Sequence, residues 1–172
     1  MIDTLITSKT RVKLLLKFFL NPGNAAHLRG LETEFGESSN AIRLELNRLE
    51  KANMLLSQQE GNKKLFKVNS SHPLYSEINS IVRKYFGLDV IVNNIASRLG
   101  DLDSVYLTGD IAEGKDTGII DLALIGKVDR TYLSQLVEKA EKLVNRKIAY
   151  LVYSPEEWMK NNHQQTVLIW NA

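Results

Sequence analysis

"SSNAIRLELNRLEKANMLLSQQEGNKKLFKV", Ser38–Val68, carries two hydrophobic periods in succession, and the switch between them decides the fold. Over NAIRLELNRLEKA, Ile42, Leu46 and Leu49 recur at helical spacing behind Ser38 or Ser39, either of which suits an N-cap. Asn53 stands where that helix should turn out, and asparagine tolerates the left-handed conformation such an exit needs. MLLSQQEGNKKLFKV then reads as two short β-type runs around Glu60-Gly61-Asn62, a hairpin signal with Lys63 and Lys64 at its tip.

Toward the N-terminus, KTRVKLLLKFFL follows Ser8, a plausible N-cap, and places Val12, Leu15, Leu16 and Phe19 on one helical stripe. Leu14 and Phe18 form a second apolar pair, and Asn21-Pro22-Gly23 ends the segment. A helix apolar on two sides is either deeply buried or shared with another subunit. AAHLRGLETEF reads as a second, short helix with Leu28, Leu31 and Phe35 inward and Gly36 at the left-handed C′ position. Three helices followed by a basic-tipped hairpin make a winged helix-turn-helix.

Residues from about 8 to 69 resemble the winged helix of ArsR-like bacterial regulators, above all in SSNAIRLELNRLEKANML. The stretch from Leu49 to Met54 is similar to that family's Leu-x-x-Ala-Gly-Leu pattern, with Asn53 in place of the glycine. The resemblance implies that the third helix enters the major groove, with Ser38, Ser39, Asn40, Arg43, Leu44, Asn47 and Arg48 outward. It also implies that Lys63 and Lys64 meet phosphates or the minor groove. Arginine and asparagine can contact guanine and adenine edges bidentately, whereas hydroxyls and lysines suit backbone positioning. The bland alternative is a solvated helix face, in which Arg43, Arg48 and Lys51 interleave with Glu45 and Glu50. Glu45 on or near the reading face counts against DNA, and winged helices also dock proteins.

The charge distribution adds a hint. Residues 1–70 hold 11 Lys and Arg against 7 Asp and Glu, a net +4, while the remainder is −2, within an overall charge of +2. A basic excess in the first half is the sign a polyanion partner requires, though it is small. The chain has 172 residues, 44% hydrophobic and 24% charged, which is a folded composition with room for one ordinary domain or two small ones. It has no cysteine, which excludes disulfides, thiolate metal sites and a Cys nucleophile. The apolar runs are lysine-interrupted and too short for a bilayer span, and MIDTLITSKT lacks the features of a signal peptide, so a cytoplasmic location is expected.

Between about Ser70 and Gly100 the apolar period persists in Leu74, Ile78, Ile81, Val82, Tyr85 and Phe86, breaks at Gly87, and resumes in Leu88, Val90, Ile91, Ile95 and Leu99. These are helices rather than a flexible linker, packing the two halves together or pairing two subunits. A homodimer is the default, since palindromic DNA mirrors a protein two-fold axis. His27, His72 and His163 have no metal-ligand spacing, and a local capping or surface role is expected of His72.

Residues 101–172 alternate strand and helix: Ser104–Thr108, Ile119–Ile125, a helix from about Arg130 to Asn145, KIAYLVYS, a capping-box start at Ser154-Pro155-Glu156-Glu157, and TVLIW. Leu133, Leu136, Val137, Ala140 and Leu143 give the long helix its buried stripe. Within this small α/β domain, LTGDIAEGKDTGIIDLALIG resembles the minimal nucleotidyltransferase type, whose motif is Gly-Ser-x-Ala-x-Gly followed by Ser-Asp-x-Asp-Leu. Gly109, Ala112, Gly114, Asp116-Thr117, Asp121, Leu122 and Gly126 match, and RKIAYLVYSPEEW is similar to the closing strand and helix of such domains fused to winged helices.

In that family two aspartates one residue apart hold two divalent ions, and a third carboxylate on a later strand assists. Here Ile119 stands at the first aspartate position, Asp110 at the phosphate-binding serine, and the third position falls near Ala149 with Tyr150 beside it. The expectation is a domain without catalytic or metal-binding residues and with no cofactor, in which Gly109, Asp110 and Asp121 line a possible small-molecule or nucleotide site. A rearranged pocket in which Asp110, Asp121 and Asp116 hold one Mg²⁺ is the alternative. Its rival is that Asp110 caps the following helix and Asp121 is structural.

The fold expected is therefore α+β: an N-terminal winged helix-turn-helix (1–70), a helical connector (71–100) and a C-terminal small α/β nucleotidyltransferase-like domain (101–172). The function expected is a sequence-specific regulator binding double-stranded DNA as a homodimer, with no membrane partner. The other classes are a metal-dependent nucleotidyltransferase and an antitoxin-like protein-interaction module.

Overall fold

The computed structural model describes residues 2–161, 163 and 165–172. It divides the chain into two compact units, Met1–Tyr85 and Phe86–Ala172. The helical connector is thus shared between the units, the boundary falling within its first long helix.

In the first unit a short helix α1 (Ile2–Leu5), for which the sequence offered no signal, precedes α2 (Lys9–Phe19). The Ser8 hydroxyl accepts from the Arg11 amide and caps α2. Leu14, Leu15, Leu16, Phe18 and Phe19 are all buried, so a helix apolar on two sides is satisfied by deep burial within its own unit. Strand β1 (Ala25–His27) follows, then α3 (Leu28–Phe35), α4 (Ser39–Lys51) and a hairpin of β2 (Leu55–Glu60) and β3 (Lys63–Val68). Gly36 at φ 63° and Asn53 at φ 58° take the left-handed positions expected of them. Gly61-Asn62 forms a two-residue turn with Glu60 opposite Lys63, and Gly61 has φ 59°.

Ala25–His27 departs from the expected helix start. The segment pairs antiparallel with Leu65–Lys67, completing a three-stranded sheet of order β1-β3-β2. Hydrogen bonding to a strand some forty residues away overrides the helical preference of two alanines.

Helix α5 (Tyr75–Phe86) turns Val82 and Phe86 inward and stacks Tyr75 on Phe19 with ring centroids 6.0 Å apart. The Asn79 amide donates to the Phe19 carbonyl at 2.6 Å. Leu74, just before the helix, and Ile81 within it are 49% and 46% exposed.

The second unit holds α6 (Leu88–Asn94), a short 3₁₀ turn, β4 (Leu102–Thr108), α7 (Gly109–Ala112), β5 (Ile119–Gly126), α8 (Arg130–Val144), β6 (Lys147–Tyr153), α9 (Pro155–Lys160) and β7 (Val167–Asn171). The sheet order is β6-β5-β4-β7, with β5 and β6 parallel across the α8 crossover and the other pairs antiparallel. The capping box at α9 is complete: Ser154 accepts from the Glu157 amide at 3.1 Å and Glu157 accepts from the Ser154 amide at 2.8 Å. Leu143 departs from its expected place on the buried stripe of α8 and is 57% exposed. Val144, four residues after Ala140, is half-buried and lies against Gly87, where an added Cβ would come within 2.6 Å of its Cγ1.

Candidate functional site

Helix α4 begins at Ser38, whose hydroxyl accepts from the Ala41 amide at 3.3 Å. Ile42, Leu46 and Leu49 are buried, and Asn40, Arg43, Leu44, Asn47, Arg48 and Lys51 are exposed. The helix therefore presents the side expected of a reading face. Glu45 leaves that face altogether, which corrects the expectation from sequence: it is only 5% exposed. Its spacing, three after Ile42 and four before Leu49, puts it on the buried side and was the signal to read.

The Glu45 carboxylate is held from three directions. It accepts from Arg11 Nε at 2.8 Å and Nη2 at 3.3 Å, from the Ser8 hydroxyl at 3.1 Å, and from Arg48 Nη1 at 3.1 Å. Burial alone would raise its pKa, but the hydrogen bonds from Arg11 and Ser8 and the charges of Arg11 and Arg48 outweigh burial and hold it below the ordinary glutamate range. The start of α2 is thereby tied to the middle of α4. The same network draws Arg48 to one side of that exposed face.

Arg43 donates to Asn40 Oδ1 at 3.3 Å and to the Ser39 hydroxyl at 3.4 Å, long bonds within one helical turn. At the hairpin, Lys64 Nζ lies 2.7 Å from Glu50 Oε2 and 5.2 Å from the centre of the Phe66 ring. Glu50 also accepts from the Ser57 hydroxyl. Hydrogen bonds from Lys64 and Ser57 outweigh burial and hold the Glu50 carboxyl below its usual range.

Between α4 and the hairpin lies a groove of about 750 Å³. It brings together Ser39, Arg43 and Asn47 of α4 with Lys63 and Lys64 of the hairpin, while Ser38, Asn40 and Arg48 are not among its walls. Arg29, to which the sequence assigned no role, lines it from α3, and Glu32 adds one acid. His27 also lines it. Its Nε2 is 3.4 Å from Glu60 Oε2 and its Nδ1 is 3.2 Å from the Lys64 carbonyl oxygen, which anchors the hairpin to β1. Nothing in the local spacing of Arg29 marks it, because its approach to the hairpin depends on the β1–β3 pairing.

In the second unit, Gly109 opens α7 at φ 65°, and an added Cβ would lie 2.5 Å from Asp121 Oδ2. Asp121 sits on β5 opposite Thr108 of β4 and Ala149 of β6. Burial, reinforced by the charge of Asp110, pushes its carboxyl above the ordinary aspartate range. Ile119, two residues earlier on the same side of the strand, is 44% exposed.

Two expectations about this cluster change. Asp116 is spent elsewhere, bridging Arg146 Nη1 at 2.5 Å and Nη2 at 3.0 Å and accepting from the Gly118 amide at 3.2 Å, so it does not join Asp110 and Asp121. Asp110 does not cap α7, because Thr108 occupies the N-cap and Asp110 lies in the first turn. Among the described residues no group of three or more His, Cys, Asp or Glu side chains could hold a metal ion. His72 acts locally: its Nδ1 accepts from the Leu74 amide at 3.1 Å, and its Nε2 is 3.1 Å from the Ala52 carbonyl oxygen.

The raised Asp121 carboxyl implies a measurable cost. A folded pKa above the unfolded value means that the fold favours the protonated acid. The penalty is absent at pH below about 3.9 and grows as pH rises through the folded pKa. Asp121→Asn, which keeps the shape and removes the charge, therefore raises the stability of the second unit at pH 7 and changes little near pH 3. Denaturant unfolding at the two pH values checks this, and a stability loss at pH 7 would contradict it.

No protein-family model matches the chain, and no curated protein matches it. Three solved structures align with parts of it. Reduced HlyU from Vibrio cholerae does so at 13% identity with a TM-score of 0.37, covering 54% of this chain and 82% of that one. The complex of a tri-AMPylated Shewanella oneidensis HEPN toxin with its MNT antitoxin aligns at 14% identity and a TM-score of 0.37, covering 49% and 70%. A proposed nucleotidyltransferase from Sulfolobus solfataricus aligns at 25% identity and a TM-score of 0.35, covering 51% and 81%. Overlap this partial assigns no function to the chain. The described residues are mixed α+β with two sheets, and no described helix is long and apolar enough to cross a membrane.

Proposed function

We propose that this protein is a sequence-specific, DNA-binding transcriptional regulator of the cytoplasm whose first unit is a winged helix. The observation that carries the reading is the groove between α4 and the hairpin, where Arg29, Arg43, Lys63 and Lys64 meet beside an outward row of hydrogen-bonding side chains. Glu45, the one acid that spoiled this face in the sequence, is turned inward and neutralised by two arginines. Arg43 and Asn47 read base edges, and the hairpin lysines hold phosphates. The active form is a homodimer, and the exposed side of α5 bearing Ile81, with Leu74 just before the helix, is its pairing surface.

The second unit is a nucleotidyltransferase-like module that serves dimerisation or ligand sensing and does not transfer nucleotides. A two-metal centre needs paired carboxylates, and Ile119 and Ala149 flank Asp121 where the partners would stand. Magnesium-dependent incorporation of labelled nucleotide, abolished by Asp121→Ala, would overturn this part.

Selection of sheared genomic DNA by the purified full chain at physiological salt tests the main reading. Enrichment of a few sites with two-fold symmetry supports a dimeric regulator, and uniform or absent enrichment refutes it. In the same assay Lys63→Ala with Lys64→Ala weakens binding to all sequences and reduces the slope of log affinity against log salt by about 4, one for each phosphate contact of the two protomers. An unchanged slope would remove the hairpin from the interface.

A further inference from the structure

We infer that the recognised half-site contains a thymine read by Leu44 through its C5 methyl group. The inference rests on the DNA-binding reading above and specifies what that surface recognises. Asn40, Leu44, Asn47 and Lys51 follow one another at spacings of four, three and four, which makes them a single row on α4. All four are exposed, on the side opposite buried Ile42, Leu46 and Leu49. Arg43 and Arg48 flank the row. Arg48 is drawn away by Glu45 at 3.1 Å, and Arg43 is held toward Ser39 and Asn40.

The centre of the reading face is therefore left to two asparagines with a leucine between them, and Leu44 is 52% exposed there. A lone exposed leucine on an arbitrary surface means nothing, but its neighbours define what this one meets. Asparagine pairs bidentately with adenine N6 and N7, and each adenine brings a thymine whose methyl projects into the same groove. That methyl is the apolar group the major groove offers. Leucine has no donor or acceptor, so against a G·C edge it would strip water from O6, N7 or N4 and return no hydrogen bond. The row thus matches an A·T core with the thymine methyl beneath Leu44.

The test uses the full-length protein and the duplex recovered from genomic selection. The duplex is synthesised once with thymine and once with deoxyuridine at every thymine, which preserves the pairing edges and removes only the methyl groups. Wild type is expected to bind the deoxyuridine duplex about 15-fold more weakly, a roughly fourfold loss for one buried methyl-sized group at each of the two half-sites. Leu44→Ala, at an exposed position, is expected to bind both duplexes equally. Substituting single thymines should then confine the loss to one position in each half-site. Equal wild-type affinity for the two duplexes overturns the inference, as does a Leu44→Ala protein that keeps the full preference for thymine. Failure of wild type to enrich any sequence is a separate result, which removes the DNA reading and this inference with it.

Discussion

Arg43→Ala lowers affinity for the selected duplex by about 5- to 150-fold for each half-site, the range of one bidentate base contact worth roughly 1–3 kcal/mol. Binding to a scrambled duplex of the same length changes far less. The difference follows from where the guanidinium sits. It lies at the edge of the α4 row and inside the groove shared with Lys63, and its bonds to Asn40 Oδ1 and the Ser39 hydroxyl keep it near the helix surface. A side chain held this way loses less rotamer freedom on docking than a free arginine would. The two bonds, at 3.3 and 3.4 Å, are long enough to yield to a base edge that offers two acceptors. Arg43→Lys does not restore the preference, since an ammonium lacks the planar fork. Parallel titrations of the selected and scrambled duplexes at one salt concentration provide the measurement. An equal loss on both would reassign Arg43 to the phosphate backbone.

Gly126→Ala removes a large share of the stability of the second unit, about 3 kcal/mol or more against the 5–15 kcal/mol a domain ordinarily has. Gly126 has φ 135°, a backbone region that side chains avoid. An added Cβ would lie 2.5 Å from the Asp101 carbonyl oxygen and 3.0 Å from both the Asp103 nitrogen and Leu102 Cα. These are backbone atoms, which no rotamer change can move aside. They belong to the start of β4, where Leu102 pairs with Gly126 and the register shifts before Ser104. The alanine must therefore break the end of the β4–β5 ladder or shift it. Both tryptophans, Trp158 and Trp170, lie in the second unit, so denaturant unfolding followed by tryptophan fluorescence reports on it directly. Gly100→Ala is the control, because nothing lies within 4 Å of the added Cβ, and it shifts the midpoint little. A Gly126→Ala protein with a wild-type midpoint would mean that the bulge accommodates a side chain.

The amino-acid sequence by itself determined the order of most of the elements, α1 and β1 excepted, because that information is local. Ser8, Ser38 and Ser154 cap helices within three residues of themselves, and Gly36, Gly61 and Asn53 occupy left-handed positions set by adjacent peptides. The polar row on α4 was also legible, since helical period alone opposes it to Ile42, Leu46 and Leu49.

What the tertiary structure decided were the matters settled across long stretches of chain. Ala25–His27 became a strand because Leu65–Lys67 supplied hydrogen bonds to it. Arg29 reached the groove because that pairing brings the hairpin to α3. Leu143 was left exposed, while half-buried Val144 met Gly87 on another helix boundary. Asp116 was withdrawn from Asp110 and Asp121 by Arg146, thirty residues away. Glu45 was neutralised by Arg11, thirty-four residues earlier, which no helical spacing encodes. Hydrogen bonds and ion pairs act over a few ångströms of space whatever the separation in sequence, so only the folded chain selects these partners.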